Sequence, residues 1–239
     1  ASIAYLYSMQ ADPSENRTIL VYSLSYSHLE ASIIQIYDMT YDILYVDDEK
    51  INGRQFDQNI FNYAKEKMLE KYPNKKVYLE NYKTQSKLLI SCQEAKLILT
   101  ESDSVNISIK SDKEESDTEY YDDDDENEPT VLFITLTYND FINLNKELFE
   151  KSMNPVKTVL DRAEINPKSI DNLFLVGGST YMKLIREKLI NITEKEPCPS
   201  VDPCEVAALG ACIVAAYLAR NELSGVAFQN NQEFFSKLK

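Results

Sequence analysis

The feature that most constrains this chain is a corner near residue 177. An apolar run, Leu173-Phe174-Leu175-Val176, stops at Gly177-Gly178-Ser179-Thr180, and a helical pattern begins near Met182. Adjacent glycines let backbone N–H groups approach a phosphate closely, and the helix N-terminus adds partial positive charge there. A turn of this kind usually has a partner across the nucleotide. The segment that should supply it, Ser23-Leu24-Ser25-Tyr26-Ser27-His28, contains no glycine. One half of a nucleotide cradle is intact in sequence and the other is rebuilt.

With 239 residues and 44% hydrophobic content, the chain can build a sizeable core as one large domain or two small ones. No apolar run approaches the roughly 20 residues that a membrane helix needs, so no membrane partner is expected. Ala1 to Leu6 lacks the basic start and apolar centre of a signal peptide. The absence of an initiator Met reads as a piece of something longer.

The net charge of −14 is concentrated in one segment. Eleven acids between Asp112 and Glu128 face only Lys113, a net of −10, which leaves −4 for the rest. No basic patch points to nucleic acid. The composition of the run predicts a disordered or very mobile loop. It reads as a solvated insertion, an interaction tail for a basic partner, or a weak divalent-cation site at Asp122 to Asp125. The spaced ligands and glycine of a calcium loop are missing. Cys92, Cys198, Cys204 and Cys212 show no Cys-x-x-Cys pair or zinc spacing and read as reduced thiols. Asn16-Arg17-Thr18, Asn106-Ile107-Ser108 and Asn191-Ile192-Thr193 are glycosylation triplets of the kind an Asn-rich chain contains by chance.

Hydrophobic periodicity predicts a meander of strands over Thr18 to Ser25, Glu30 to Tyr37 and Tyr41 to Val46. Phe56, Ile60, Tyr63, Ala64 and Met68 mark a helix from about Gln55 to Lys71, broken by Pro73-Asn74. Leu88, Leu89, Cys92, Ala95, Lys96 and Leu99 mark a second, from about Glu80 to Thr100. Val105, Ile107 and Ile109 alternate as a strand, with Val131 to Thr137 as its hairpin mate. Thr137 to Ala163 is amphipathic, capped by Thr137 or Asn139 and split near Asn154 by Pro155. A strand over Asp171 to Val176, a helix over Met182 to Leu189 and an Ala-rich helix over Glu205 to Leu218 complete the pattern.

This ordered set resembles the seventy-kilodalton heat-shock chaperone family, within the α/β actin-like ATPase (ribonuclease H-like) fold. Leu173-Phe174-Leu175-Val176-Gly177-Gly178-Ser179-Thr180 resembles the family's second-lobe glycine signature. Pro203 to Ala216 resembles the helix that follows it. Phe141, Leu144, Leu148, Phe149, Pro155 and Val156 are similar to its long crossover helices. Gly53, Phe56 and Asp57 are similar to the start of the helix above the nucleotide, and Ala1 to Tyr5 to the segment entering the second lobe. The resemblance implies lobe II of a nucleotide-binding domain over residues 1–220, with the acidic loop 111–129 inserted in a hairpin. Residues 221–239 would be a C-terminal extension or the start of an interdomain linker. It further implies a chaperone of protein folding and the stress response, in the cytoplasm or alternatively the endoplasmic reticulum. Lobe I, the peptide-binding domain and J-proteins would be the partners.

The resemblance places ATP or ADP with magnesium at Gly177, Gly178 and Ser179, with Gln93, Lys96, Thr100 and Tyr181 around the nucleoside. It assigns no catalytic or metal-ligating side chain within this chain. The departures weaken the site. The family's Asp-Leu-Gly-Gly-Gly-Thr is Ser23 to His28 here, its Gly-Gly-Glu is Asn52-Gly53-Arg54, its adenine-stacking arginines are Leu97 and Tyr181, and a late carboxylate is Cys204. Large 110-kilodalton relatives and ribosome-associated Ssz-type relatives tolerate such changes. The expectation is a degenerate site in a chaperone or co-chaperone acting through partners; the alternative is lobe II of an active ATPase.

Overall fold

The computed structural model describes residues 16–37, 40–110, 131–199 and 202–220. The acidic run, the entry segment Ala1 to Tyr5 and the extension 221–239 lie outside the described residues. The chain divides into two compact units, residues 1–53 with 147–239, and residues 54–146.

The first unit is built on a four-stranded sheet of order β3-β2-β1-β6. Strand β1 (Arg17–Leu24) pairs antiparallel with β2 (Leu29–Tyr37), and β2 with β3 (Thr40–Glu49). On its other side β1 pairs parallel with β6 (Asn172–Val176), Leu20 opposite Leu173 and Tyr22 opposite Leu175. Leu173, Phe174 and Leu175 are all buried, as expected of a parallel strand covered on both faces. The register of β2 on β3 shifts between Ile33 and Ile34, leaving Leu44 as an extra residue in β3. Helices α5 (Lys146–Lys151) and α6 (Asn154–Arg162) precede β6, and α6 packs on β2 and β3 through Val156, Val159 and Leu160. Pro155 sits in the first turn of α6, where its missing N–H costs nothing. After β6 come α7 (Lys183–Thr193) and α8 (Val206–Arg220).

The second unit carries α1, which runs Gly53–Lys71, then α2 (Lys76–Glu80) and α3 (Tyr82–Ile98). Strands β4 (Ser104–Lys110) and β5 (Val131–Thr137) form a separate antiparallel pair, with Ile107 opposite Ile134 and Ile109 opposite Leu132. Their alternation is realised: Ile107, Ile109, Leu132, Ile134 and Leu136 are buried while the residues between them are not. Helix α4 (Tyr138–Leu144) opens with a capping box in which the Thr137 hydroxyl accepts from the Asp140 amide.

Two expected helices are more divided than their periodicity predicts. The stretch expected from Glu80 to Thr100 begins at Lys76 and breaks at Asn81, whose side chain accepts from the Lys83 amide and caps α3. The amphipathic stretch splits at Asn145 as well as near Asn154. Buried Asn145 donates its side-chain amide to the Phe141 carbonyl at 2.9 Å and accepts from Asn59 at 3.0 Å. A polar side chain bonded to the backbone competes with helix continuation.

Phe174 is 1% exposed, so Phe174→Ala should lower unfolding free energy by about 3–5 kcal/mol. Ile43→Ala, at a position 55% exposed in β3, should change it by no more than about 0.5 kcal/mol. Urea denaturation midpoints of the two variants test the contrast.

Candidate functional site

In the first unit the glycine corner is held by backbone. Gly177 has a φ of +89°, and a Cβ there would meet the Leu24 carbonyl oxygen at 2.6 Å and its carbon at 2.9 Å. Its N–H donates to the Pro203 carbonyl at 2.7 Å. Glycine is therefore obligatory at 177 for geometry alone. Gly178 differs. A Cβ on it would meet only the Cys204 Sγ, at 3.4 Å. Gly178 opens a 3₁₀ turn, Gly178–Tyr181, in which the Thr180 hydroxyl donates to the Gly177 carbonyl at 2.8 Å.

Two other segments meet this corner. Gly53 donates its N–H to the Ser25 carbonyl at 2.8 Å, and a Cβ on Gly53 would collide with the hydroxyl of buried Ser179. The segment Ser25 to His28 is a tight hairpin turn between β1 and β2. The Ser25 amide donates to the His28 carbonyl at 2.9 Å, and the His28 amide donates to the Ser25 hydroxyl at 3.1 Å. The His28 ring lies 3.5 Å from Glu30, and Tyr26 is half exposed.

Tyr181 is tied down by neighbours that sequence reasoning did not single out. Its hydroxyl donates to Asp202 at 2.8 Å, and the same Asp202 oxygen accepts the Cys204 amide at 2.7 Å. The hydrogen bond to Asp202, with some burial, pushes the Tyr181 phenol up to about 12. The Cys204 amide and then Tyr181 hold the Asp202 carboxyl below its usual value. Arg186 stacks 5.1 Å from the Tyr181 ring centroid and donates to the Thr180 carbonyl at 3.0 Å. A cleft of about 800 Å³ opens beside Tyr181, lined by Leu175, Arg186, Glu196, Cys198 and Asp202 among others. Asp202 had a legible signal: an Asp-Pro pair just before an Ala-rich helix is a cap.

The remaining candidates lie in the second unit. Gln93 and Lys96 stand on α3 and Thr100 just past its end, spaced so that they share one face. Lys96 is buried, and its ammonium lies 2.6 Å from the Asp57 carboxylate on α1. Burial pushes the Asp57 carboxyl up from its ordinary value, and Lys96 opposes that shift. The buried Cys92 thiol is pushed up to about 12 by desolvation and by Asp57. The Thr100 hydroxyl donates to the Leu97 carbonyl at 2.7 Å, while Leu97 itself is 54% exposed. Gln93 is half-buried. Four candidates, Gly177, Gly178, Ser179 and Tyr181, thus belong to one unit, and three to the other.

Among the described residues no group of three or more His, Cys, Asp or Glu side chains is placed to hold a metal ion. No described helix is long and apolar enough to cross a membrane.

An antiparallel meander joined by a parallel strand, ending in a glycine corner that opens into a helix, defines an α/β domain of the actin-like ATPase fold. The sequence matches the Hsp70 protein family over residues 1–231. It is 28% identical over 221 residues to a chaperone protein DnaK 1 of Synechococcus, which covers 92% of this chain and 27% of that protein. It is also 28% identical over 228 residues to the heat shock cognate 70 kDa protein 3 of Dictyostelium discoideum, covering 95% of this chain and 34% of that one. The chain belongs to the Hsp70 family and corresponds to part of its nucleotide-binding domain. It spans between 27% and 34% of the length of these curated relatives.

The two glycines should respond differently. Gly177→Ala forces a strained φ and a backbone clash, and should destabilise the chain by at least about 1–3 kcal/mol. Gly178→Ala should stay within about 1 kcal/mol of wild type, near the intrinsic Gly-to-Ala difference. Thermal melts of the pair decide this. The Tyr181 phenol, raised in the fold, should stay protonated above the ordinary tyrosine range and ionise near pH 12. Its hydrogen bond is thus fully present below about pH 10 and is lost as pH rises through the folded value. An NMR titration of the Tyr181 ring carbon, assigned by Tyr181→Phe, measures it.

Proposed function

We propose that this chain is lobe II of the nucleotide-binding domain of a divergent molecular chaperone or co-chaperone, with a degenerate ATP site. On this reading the protein acts in folding mainly through partner binding. Residues 1–220 form the lobe, with 111–129 as an inserted acidic loop and 221–239 as an extension or linker. Its partners are lobe I and the peptide-binding domain of the same parent, together with J-proteins or other chaperones, in the cytoplasm.

The observation that carries this reading is that most of the polar groups offered to a nucleotide are engaged within the protein. In the turn that replaces the family's second phosphate loop, the Ser25 and His28 amides bond inside the hairpin, and Gly53 takes the Ser25 carbonyl. Lys96 is paired with Asp57, Thr100 with Leu97, and Tyr181 with Asp202. Phosphoryl chemistry depends on preorganised donors aimed at the phosphate and on the charge of a bound metal. The turn at Ser25 to His28 does not fit a phosphate cradle of that kind, and the side chain at 23 is a hydroxyl where the family has a carboxylate.

One observation favours the second reading, an ATP-binding lobe of an active chaperone. Gly178 has room for a side chain that it does not carry. A glycine without a packing reason suits close backbone approach to a phosphate. In that reading Gly177, Gly178 and Ser179 meet the phosphates, and Gln93, Lys96, Thr100 and Tyr181 hold the nucleoside.

Isothermal titration of Mg-ATP into the longest natural form of the protein tests the two. The degenerate site predicts a Kd no tighter than about 0.1 mM, roughly 5.5 kcal/mol of binding free energy. Micromolar binding with measurable turnover would overturn it in favour of the active chaperone.

A further inference from the structure

Lys96 has the position of a nucleoside contact and the surroundings of a core residue. Its side chain is 9% exposed, and its ammonium stands 2.6 Å from Asp57, whose side chain is 1% exposed. Asp57 stands near the start of α1, just past its first turn, and Lys96 in the last turn of α3. Among the described residues no hydrogen-bond donor other than this ammonium approaches either Asp57 oxygen.

We infer that Lys96 is the core counter-ion of Asp57 and not a ligand-binding lysine: the pair is a buried charge lock between α1 and α3 that withholds the ammonium from any nucleotide. This deepens the reading of a degenerate site and rests on it for its functional meaning.

The argument is electrostatic. A buried carboxylate without a partner is strongly destabilising, because removing one member of a buried pair strands the other charge. For Lys96 to turn toward a phosphate or a ribose hydroxyl, Asp57 would be left in that state. The apolar neighbours do not relieve it. Cys92 lies one turn before Lys96 and is fully buried, and its thiol is held protonated. The Lys96 stem, buried beside Ala95 and Leu99, adds packing that any swing outward would lose. A lysine kept for a ligand would instead keep its head in solvent, as exposed Lys83 does near the start of the same helix.

Amine acetylation of the longest natural form, read by mass spectrometry, tests the lock. Lys96 should label at least about tenfold more slowly than Lys83, because the reagent reaches it only through local opening. Saturating Mg-ATP should leave that rate unchanged. In Asp57→Asn the rate should rise severalfold toward that of Lys83. In thermal melts, Asp57→Asn and Lys96→Met should each lower the midpoint, and the double variant should lose less than the two singles combined.

Labelling of Lys96 as fast as Lys83, protection of Lys96 by Mg-ATP, or additive losses in the double variant would each overturn the inference. If Asp57→Asn does not fold, the wild-type rates with and without Mg-ATP decide alone. Tight Mg-ATP binding with Lys96 still unreactive would overturn the degenerate site and leave the lock standing. Protection of Lys96 would overturn the lock at any affinity.

Discussion

The first unit depends on a place where two backbones meet with no room for a side chain. Gly177 leaves β6 at a positive φ and lies against the Leu24 carbonyl at the end of β1. The parallel pairing of β1 with β6 runs up to this point, with Ser23 opposite Val176. Beyond it, Gly177 bonds to Pro203, and the next turn sets Ser179 against Gly53, which in turn bonds to Ser25. Segments far apart in sequence are thus locked through main-chain contacts. Such a junction tolerates change in what it binds and resists change in its own glycines, since strain and overlap there act on the fold directly.

That distinction separates architecture from activity. A glycine corner is read as a phosphate site because phosphate needs bare backbone, yet Gly177 is required whether or not a phosphate is present. The proposal of a weakened site rests on other groups. Hydroxyls, amides and a lysine that would have to greet a ligand are bonded to near neighbours. Each such bond must be given up, with its desolvation cost, before the same group can serve a nucleotide. The pairing of Tyr181 with Asp202 and Arg186, and of Lys96 with Asp57, shows one economy: charges and polar tips near the candidate positions are balanced locally.

Legibility followed the range of the interactions. The β4–β5 hairpin could be read from alternation because one covered face imposes a period of two. The cap at Thr137 was legible because a hydroxyl three residues before an acid is a local device. The extra breaks at Asn81 and Asn145 were not foreseen. In both, a side-chain amide bonds to the backbone, and for Asn145 the decisive partner, Asn59, lies 86 residues away. In sequence Asp57 stands out only by its likeness to a helix start, and nothing near it announces Lys96 as its partner. Asp202 showed a capping signal, but its bond to Tyr181 spans 21 residues.

The order of the residues is enough to place this chain in its family and fold, to set the strands and most helices, and to show that the segment Ser23 to His28 carries no glycine. Those features are local, carried by periodicity, caps and a glycine corner whose chemistry is written in adjacent positions. Only the packed structure decides that Gly177 is needed for backbone contact while Gly178 is not. Only it shows that Lys96 and Tyr181 are held by Asp57 and Asp202. The reason is physical: whether a polar group is available depends on which partner folding brings within hydrogen-bonding distance, and those partners are remote in sequence.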